Sequence, residues 1–252
     1  MSVENRHAVV TGGGTGVGAE IAETMALAGG RVTVMGRSEE PLRKVAKRHR
    51  FIGWITCDVT DPKVVKDAFR QARGLNGPIT IVVANAGAAA SVPFAKLTLE
   101  QMQAMLSVNL IGVANSWQTA MPDMKAVGWG RMIAVASTAG LKGYPYVAAY
   151  CAAKHGVVGL TRALSLELAA TGITVNAICP GYVETPMLDR SIANIIERTG
   201  SSEEKTRASL TAGNPQKRFI QSDEVAGAAL WLCSDAAKSM NGHTLTLSGG
   251  EI

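Results

Sequence analysis

The chain has 252 residues, of which 47% are hydrophobic and 18% charged, with a net charge of +5. This composition excludes a disordered protein and suits one α/β domain with a sizeable core. No run reaches the ~18 consecutive apolar residues of a membrane helix, and the Met1–His7 stretch lacks the apolar centre of a secretory signal.

Strand-like and helix-like segments alternate along the chain. Arg6–Thr11 is an apolar run ending in glycines, Gly16–Ala28 has helical periodicity, and Arg31–Met35 is β-branched and strand-like. Ser38 is placed to cap a helix reaching about His49, with Pro41 tolerated in its first turn. The excess positive charge from Arg37 to Arg50 lies largely on this helix. Glu39 and Arg43, and Glu40 and Lys44, stand at i,i+4, which marks a solvated face rather than a nucleic-acid patch. Phe51–Cys57 reads as a strand and Asp61–Arg73 as a helix. Ile79–Ala84 is continuously apolar and needs cover on both faces, as in a parallel sheet. Leu99–Val127 is mostly helical with a bend expected at Pro122, Arg131–Ala136 is a strand, and Val147–Ala170 is a long helix. Ile173–Ile178 and His243–Leu247 are strands separated by a helix at Asp223–Ser234. The pattern predicts a single α/β domain, a doubly wound Rossmann-type sheet of seven parallel strands with helices on both faces. Gly181–Phe219 reads as a long polar irregular segment, of the kind that forms a lid over a site.

Cys57, Cys151, Cys179 and Cys233 form no CxxC pair, which suits reduced thiols and a cytoplasmic location. The four histidines have no metal-ligand spacing, and no metal is expected.

The turn after the first strand reads Thr11-Gly12-Gly13-Gly14-Thr15-Gly16-Val17-Gly18. Between a strand and a helix, such a loop lets backbone approach a pyrophosphate at a helix N-terminus, where free N–H groups and the dipole favour negative charge. Two registers fit, one on Gly12, Gly16 and Gly18 and one on Gly14, Gly16 and Ala19. The second strand ends Met35-Gly36-Arg37-Ser38, with no carboxylate to hold the adenosine ribose. Arg37 offers a guanidinium to a 2′-phosphate, which favours NADP(H) and leaves NAD(H) as the alternative.

Tyr150 and Lys154 are four residues apart on one helix face, where an ammonium can stabilise a phenolate. Ser137 follows an apolar strand, at the carboxyl edge where open α/β sheets bind ligands. With these residues the chain resembles the short-chain dehydrogenase/reductase family over essentially its whole length. The resemblance implies a cofactor loop at Thr11–Gly18, an adenine-contacting pair at Asp58-Val59 and a sheet-stabilising motif at Asn85-Ala86-Gly87. It implies a nicotinamide-contacting segment at Pro180, Gly181, Val183 and Thr185, and a catalytic tetrad of Asn109, Ser137, Tyr150 and Lys154. In the family, Tyr150 would exchange the proton, Ser137 would hold the substrate oxygen, Lys154 would bind the nicotinamide ribose and depress the phenol, and Asn109 would hold a relay water. One departure is Thr15, which stands where many NADP-using members carry a basic residue.

The implied activity is NAD(P)-dependent interconversion of a ketone and a secondary alcohol. Tyr150–Met187 is closest in pattern to 3-oxoacyl thioester reductases and aromatic polyketide ketoreductases, which makes NADPH-dependent reduction of a 3-oxoacyl or related keto substrate the first reading. NAD-dependent oxidation of a hydroxy acid or cyclic alcohol is the second, and a nucleotide-sensing regulator the third, disfavoured by the intact tetrad. Cys151 reads as packing, and Tyr144 and Tyr146 as pocket lining. The resemblance also implies a homotetramer. In partial support, Val157, Val158, Leu160, Ala163, Leu164, Leu166 and Leu168 spread apolar surface around the helix of Tyr150, and Leu245–Ile252 ends on an apolar residue.

Overall fold

A computed structural model describes residues 3–252. In chain order the elements are β1 (His7–Thr11), α1 (Gly16–Leu27), β2 (Arg31–Gly36), α2 (Glu39–Ala46), β3 (Ile52–Thr56), α3 (Pro62–Asn76), β4 (Ile79–Ala84), α4 (Leu99–Leu106) and α5 (Gly112–Val127). They continue with β5 (Gly130–Val135), α6 (Ala148–Leu168), β6 (Ile173–Pro180), α7 (Pro186–Thr199), α8 (Glu203–Thr211), α9 (Ser222–Leu232) and β7 (Thr244–Leu247). The seven strands form one parallel sheet in the order β3-β2-β1-β4-β5-β6-β7.

Side chains alternate across a strand, so each strand feeds two cores. Val9 and Val82 join Phe69, Trp117 and Met124 under α3, α5 and α6 on one face. Val10 and Val83 join Ile21, Met25, Leu42 and Leu232 under α1, α2 and α9 on the other. The strand order reverses between β1 and β4. That opens a crevice at their carboxyl ends, the usual ligand position in open α/β sheets. Asp123 ties the face together, since its Oδ2 accepts from Arg73 Nε (2.7 Å) and from Ile79 N–H (2.9 Å).

Three expectations are corrected. The segment 181–219 is not irregular: it carries α7 and α8. Thr185 caps α7 by accepting from Leu188 N–H (3.4 Å), Pro186 occupies its first turn and Gly200 closes it with φ 66°. Ser202 caps α8 by accepting from Lys205 N–H (3.3 Å). Leu188 and Ile192 bury one face of α7 against Phe219. Second, the helical stretch after Leu99 is interrupted by a π turn at Ser107–Ile111, and α5 runs on through Pro122. Third, α6 is less apolar outside than its composition suggests. Val157, Val158 and Leu168 enter the core and Leu160 and Leu164 pack against it, which leaves Ala163 exposed and Leu166 82% exposed. No helix among the described residues is long and apolar enough to cross a membrane, and the four cysteines are free and buried.

Candidate active site

The glycine loop sits at the β1/β4 crevice. A Cβ on Gly12 (φ 65°) would stand 2.8 Å from Ala86 Cα, and one on Gly18 would run into the Gly12 carbonyl. Gly16 (φ 51°) lies against Thr185, where a Cβ would meet Cγ2 at 3.1 Å. Gly12, Gly16 and Gly18 thus demand glycine for steric or φ reasons and match the first register, and Gly13 does too, since its Cβ would stand 2.7 Å from Val34 Cβ. Asn85 locks the loop to β4, as its Nδ2 donates to the carbonyls of Thr11 (3.1 Å) and Gly12 (3.2 Å). The N–H groups of Asn85 and Ala86 both donate to Thr11 Oγ1 (3.1 Å). Thr15 precedes α1 in extended conformation and makes no side-chain cap. The first N–H groups of α1, at Gly16, Val17 and Gly18, have no partner within the helix and suit a pyrophosphate. The cradle therefore fits a dinucleotide.

At the end of β2, Arg37 and Ser38 are exposed. Asp58 follows β3, and its carboxyl is held below the usual range by the Thr60 N–H (2.9 Å) and hydroxyl (2.7 Å), with a smaller pull from the Arg37 guanidinium. Val59 is buried, and its carbonyl accepts from Asn115 Nδ2 (2.9 Å). Beyond β6, Gly181 N–H donates to the Leu247 carbonyl (3.0 Å), and Val183 pairs with Ile220. These contacts carry Thr185 across to Gly16, so the predicted nicotinamide segment and glycine loop share one cleft.

Ser137 lies two residues past the end of β5, where it caps the short turn Thr138–Gly140, and Tyr150 and Lys154 lie in the first turns of α6. Burial pushes the Tyr150 phenol up to about 12, against the pull of a hydrogen bond with Ser137. Ser137 Oγ also accepts from Ala139 N–H (3.1 Å). Lys154 is buried, and burial pushes its ammonium down to about 8. Its Nζ donates to the Val135 carbonyl (2.8 Å) and lies 5.5 Å from the centre of the Tyr150 ring. The expected depression of the phenol by Lys154 is thus not what this geometry shows. The ammonium faces the ring and a carbonyl rather than the hydroxyl, and burial prevails.

Asn109 sits in the π turn, 1% exposed. Its Nδ2 donates to the carbonyls of Ala88 (2.9 Å) and Met105 (3.1 Å), and its Oδ1 accepts from Ala88 N–H (3.3 Å). It is bonded to the loop just beyond Gly87, not to Lys154. A Cβ on Gly87 would stand 2.7 Å from Asn109 Oδ1, so that glycine is needed for this approach.

Tyr144 is half-buried, whereas Tyr146 (φ 66°) is 64% exposed. The Tyr144 hydroxyl donates to Glu251 Oε1 (2.8 Å) and shares a hydrogen bond with Thr138 Oγ1 (2.8 Å). Lys142 Nζ lies 2.8 Å from the same Glu251 oxygen. Burial raises the pKa values of Tyr144 and Tyr182, and the Glu251 carboxylate adds to both. Sequence reasoning missed Lys142, Tyr182 and Glu251. No motif marks them, and only the return of the C-terminal tail brings Glu251 to this cleft.

A short chain dehydrogenase family model matches residues 6–195. A D-β-hydroxybutyrate dehydrogenase of Rhizobium meliloti (strain 1021) is 36% identical, covering 97% of this chain and 98% of the relative. A ketoacyl reductase of the granaticin polyketide synthase of Streptomyces violaceoruber is 37% identical, over 96% and 92%. Among solved structures, an actinorhodin polyketide ketoreductase variant with NADPH superposes with a TM-score of 0.95 at 36% identity, covering 100% of this chain and 99% of the other. With its seven-stranded sheet and glycine cradle, the chain belongs to the short-chain dehydrogenase/reductase family of NAD(P)-dependent oxidoreductases.

Proposed function

We propose that the protein reduces a 3-oxoacyl or related keto substrate with NADPH, and that Asn109, Ser137, Tyr150 and Lys154 are its catalytic residues. The observation that carries this reading is the convergence of Ser137, Tyr150 and Lys154 at the carboxyl end of β5, beside the glycine cradle. Gly12, Thr15, Gly16, Val17 and Gly18 would hold the pyrophosphate, and Arg37 with Ser38 the 2′-phosphate. Asp58 and Val59 would flank the adenine, while Asn85, Ala86 and Gly87 shape the floor. Pro180, Gly181, Val183 and Thr185 would meet the nicotinamide, and Lys154 and Tyr150 its ribose. When bound, the cofactor supplies the hydride.

The chain's own residues supply position and the proton. With its pKa near 12, Tyr150 keeps its proton at neutral pH and is ready to donate it to a carbonyl oxygen as charge develops there. Ser137 holds that oxygen. Asn109 and Lys154 are the groups between which the family's proton relay would run.

Support for NADP(H) comes from the exposed Arg37 and the absence of a carboxylate at Met35, Gly36 or Arg37. A second reading, NAD-dependent oxidation of a hydroxy acid or cyclic alcohol, is favoured by the hydroxybutyrate dehydrogenase and by a cis-4-hydroxycyclohexanecarboxylate dehydrogenase of Sinomonas cyclohexanicum, 36% identical over 97% of this chain and 96% of that one. Thermal-shift titration with NADP⁺, NADPH, NAD⁺ and NADH tests the cofactor assignment. NADPH should raise the melting temperature most, and hydrogen exchange over 181–219 should fall as this segment closes as a lid. A larger shift with NADH would favour the second reading.

The same reading makes the protein a cytoplasmic homotetramer. Leu99, Ile111, Val127 and Leu166 are 66%, 47%, 44% and 82% exposed on α4, the π turn, α5 and α6, and Ile252 is 47% exposed at the tail. Such apolar surface suits symmetric partners. Light scattering at micromolar concentration should return the mass of four chains; the monomer's 26.3 kDa would contradict it.

A further inference from the structure

The Glu251 carboxylate is 8% exposed although it lies one residue from the end of the chain. A buried carboxylate is stable only when charged or hydrogen-bonding partners replace the water it loses. Here those partners are Lys142 Nζ and the Tyr144 hydroxyl, both at 2.8 Å. Lys142 Nζ also stands 5.0 Å from the centre of the Tyr144 ring. The tyrosine hydroxyl continues the chain of contacts to Thr138 (2.8 Å), the residue after Ser137. On its other sides Glu251 faces the exit of β6 and the end of the 181–219 segment. A Cβ built on Gly181 would stand 3.6 Å from Oε2, and one on Gly213 3.1 Å from Oε1.

Four parts of the chain therefore meet at one carboxylate: the loop after Ser137, the exit of β6, the end of α8 and the tail. The consequence is electrostatic. Lys142 lies on the loop that joins Ser137 to Tyr150, and an unpaired ammonium on that loop would attract a substrate carboxylate entering the cleft. Its charge is instead met by Glu251. An incoming carboxylate would meet a neutralised cation and a fixed anion behind it.

We propose that Glu251 is a specificity-determining residue. By neutralising Lys142 it sets the cleft for keto substrates without a free carboxylate, such as esters, thioesters or cyclic ketones, and against keto acids. The inference rests on the ketoreductase reading above and narrows its substrate class.

The test compares ethyl acetoacetate with acetoacetate as NADPH-dependent substrates, in wild type, Glu251→Gln, Glu251→Asp and Lys142→Met/Glu251→Gln. The wild type should favour the ester. Glu251→Gln should raise the acid-to-ester ratio of kcat/KM by about tenfold, the scale of one newly available charged hydrogen bond. Glu251→Asp, which keeps the charge, should stay near the wild-type ratio, and the double variant should return to it because the freed cation is gone. A purely structural role for Glu251 would lower both substrates together. A ratio unchanged in Glu251→Gln, or a raised ratio that persists without Lys142, overturns the inference. Isothermal calorimetry with acetoacetate asks the same question without turnover: binding should be about tenfold tighter to Glu251→Gln than to wild type, and the gain lost in the double variant. Equal binding, or none to either protein, overturns it. If the wild type consumes NADPH with neither ketone, calorimetry still judges Glu251, and the reductase reading stands or falls separately on 3-oxoacyl thioesters and cyclic ketones.

Discussion

Replacing Tyr150 by Phe should lower ketone reduction by about 10²–10⁴-fold, the usual contribution of one positioned acid. The substitution removes a hydroxyl and little else. The ring keeps its place in the half-buried cleft, with the Lys154 ammonium 5.5 Å from its centre. Ser137 keeps the Ala139 N–H and loses only its tyrosine partner. Lys154 keeps the Val135 carbonyl. The melting temperature should therefore stay close to that of the wild type, and NADPH affinity should fall by at most about tenfold, the worth of one hydrogen bond to the ribose, while kcat falls further. Steady-state NADPH consumption checks the first half and a thermal-shift titration the second. Turnover near the wild-type rate would show that the proton comes from another group.

Replacing Arg37 by Asp should reverse the cofactor preference, changing the ratio of NADPH to NADH affinities by about ten- to a hundredfold, since a charge-assisted contact to phosphate is lost and a repulsion is added. Arg37 is exposed at the end of β2 and reaches the neighbourhood of Asp58. An aspartate there would add a second carboxylate to that edge, hostile to a 2′-phosphate and able to accept from a 2′-hydroxyl. Dissociation constants for both reduced cofactors decide it. A wild type that already prefers NADH, with no change in the variant, would remove Arg37 from the site.

Much of the fold was legible in the sequence because a parallel strand buried on both faces leaves a continuous apolar run. Ile79–Ala84 is the clearest case, since its bounds match β4 to the residue. The glycine cradle was legible for a steric reason. Gly12, Gly16 and Gly18 occupy positions that a side chain would block or strain. Spacing placed Tyr150 and Lys154 on one helix face, but the direction of the Lys154 ammonium was not accessible from spacing. It depends on the Val135 carbonyl across the sheet edge.

Local signals were passed over in α7 and α8, whose caps at Thr185 and Ser202 lie within polar sequence that reads as loop. The apolar face of α7 becomes meaningful only once Phe219 packs on Leu188 and Ile192. The π turn carrying Asn109 has no signature in residue type, as it follows from how α4 and α5 join beside Ala88. Glu251 was invisible for the most general reason. Its partners are more than a hundred residues away at Lys142 and Tyr144, and only the folded path of the tail makes them neighbours.

In the function proposed above, this chain uses NADPH to reduce a ketone. The most direct measurement is the loss of NADPH absorbance when purified protein meets a panel of 3-keto esters, 3-oxoacyl thioesters and cyclic ketones at neutral pH. NADPH should be consumed, matched mole for mole by secondary alcohol, with slower consumption of NADH. No consumption with any ketone, alongside NAD⁺ reduction by hydroxy acids or cyclic alcohols, would contradict it.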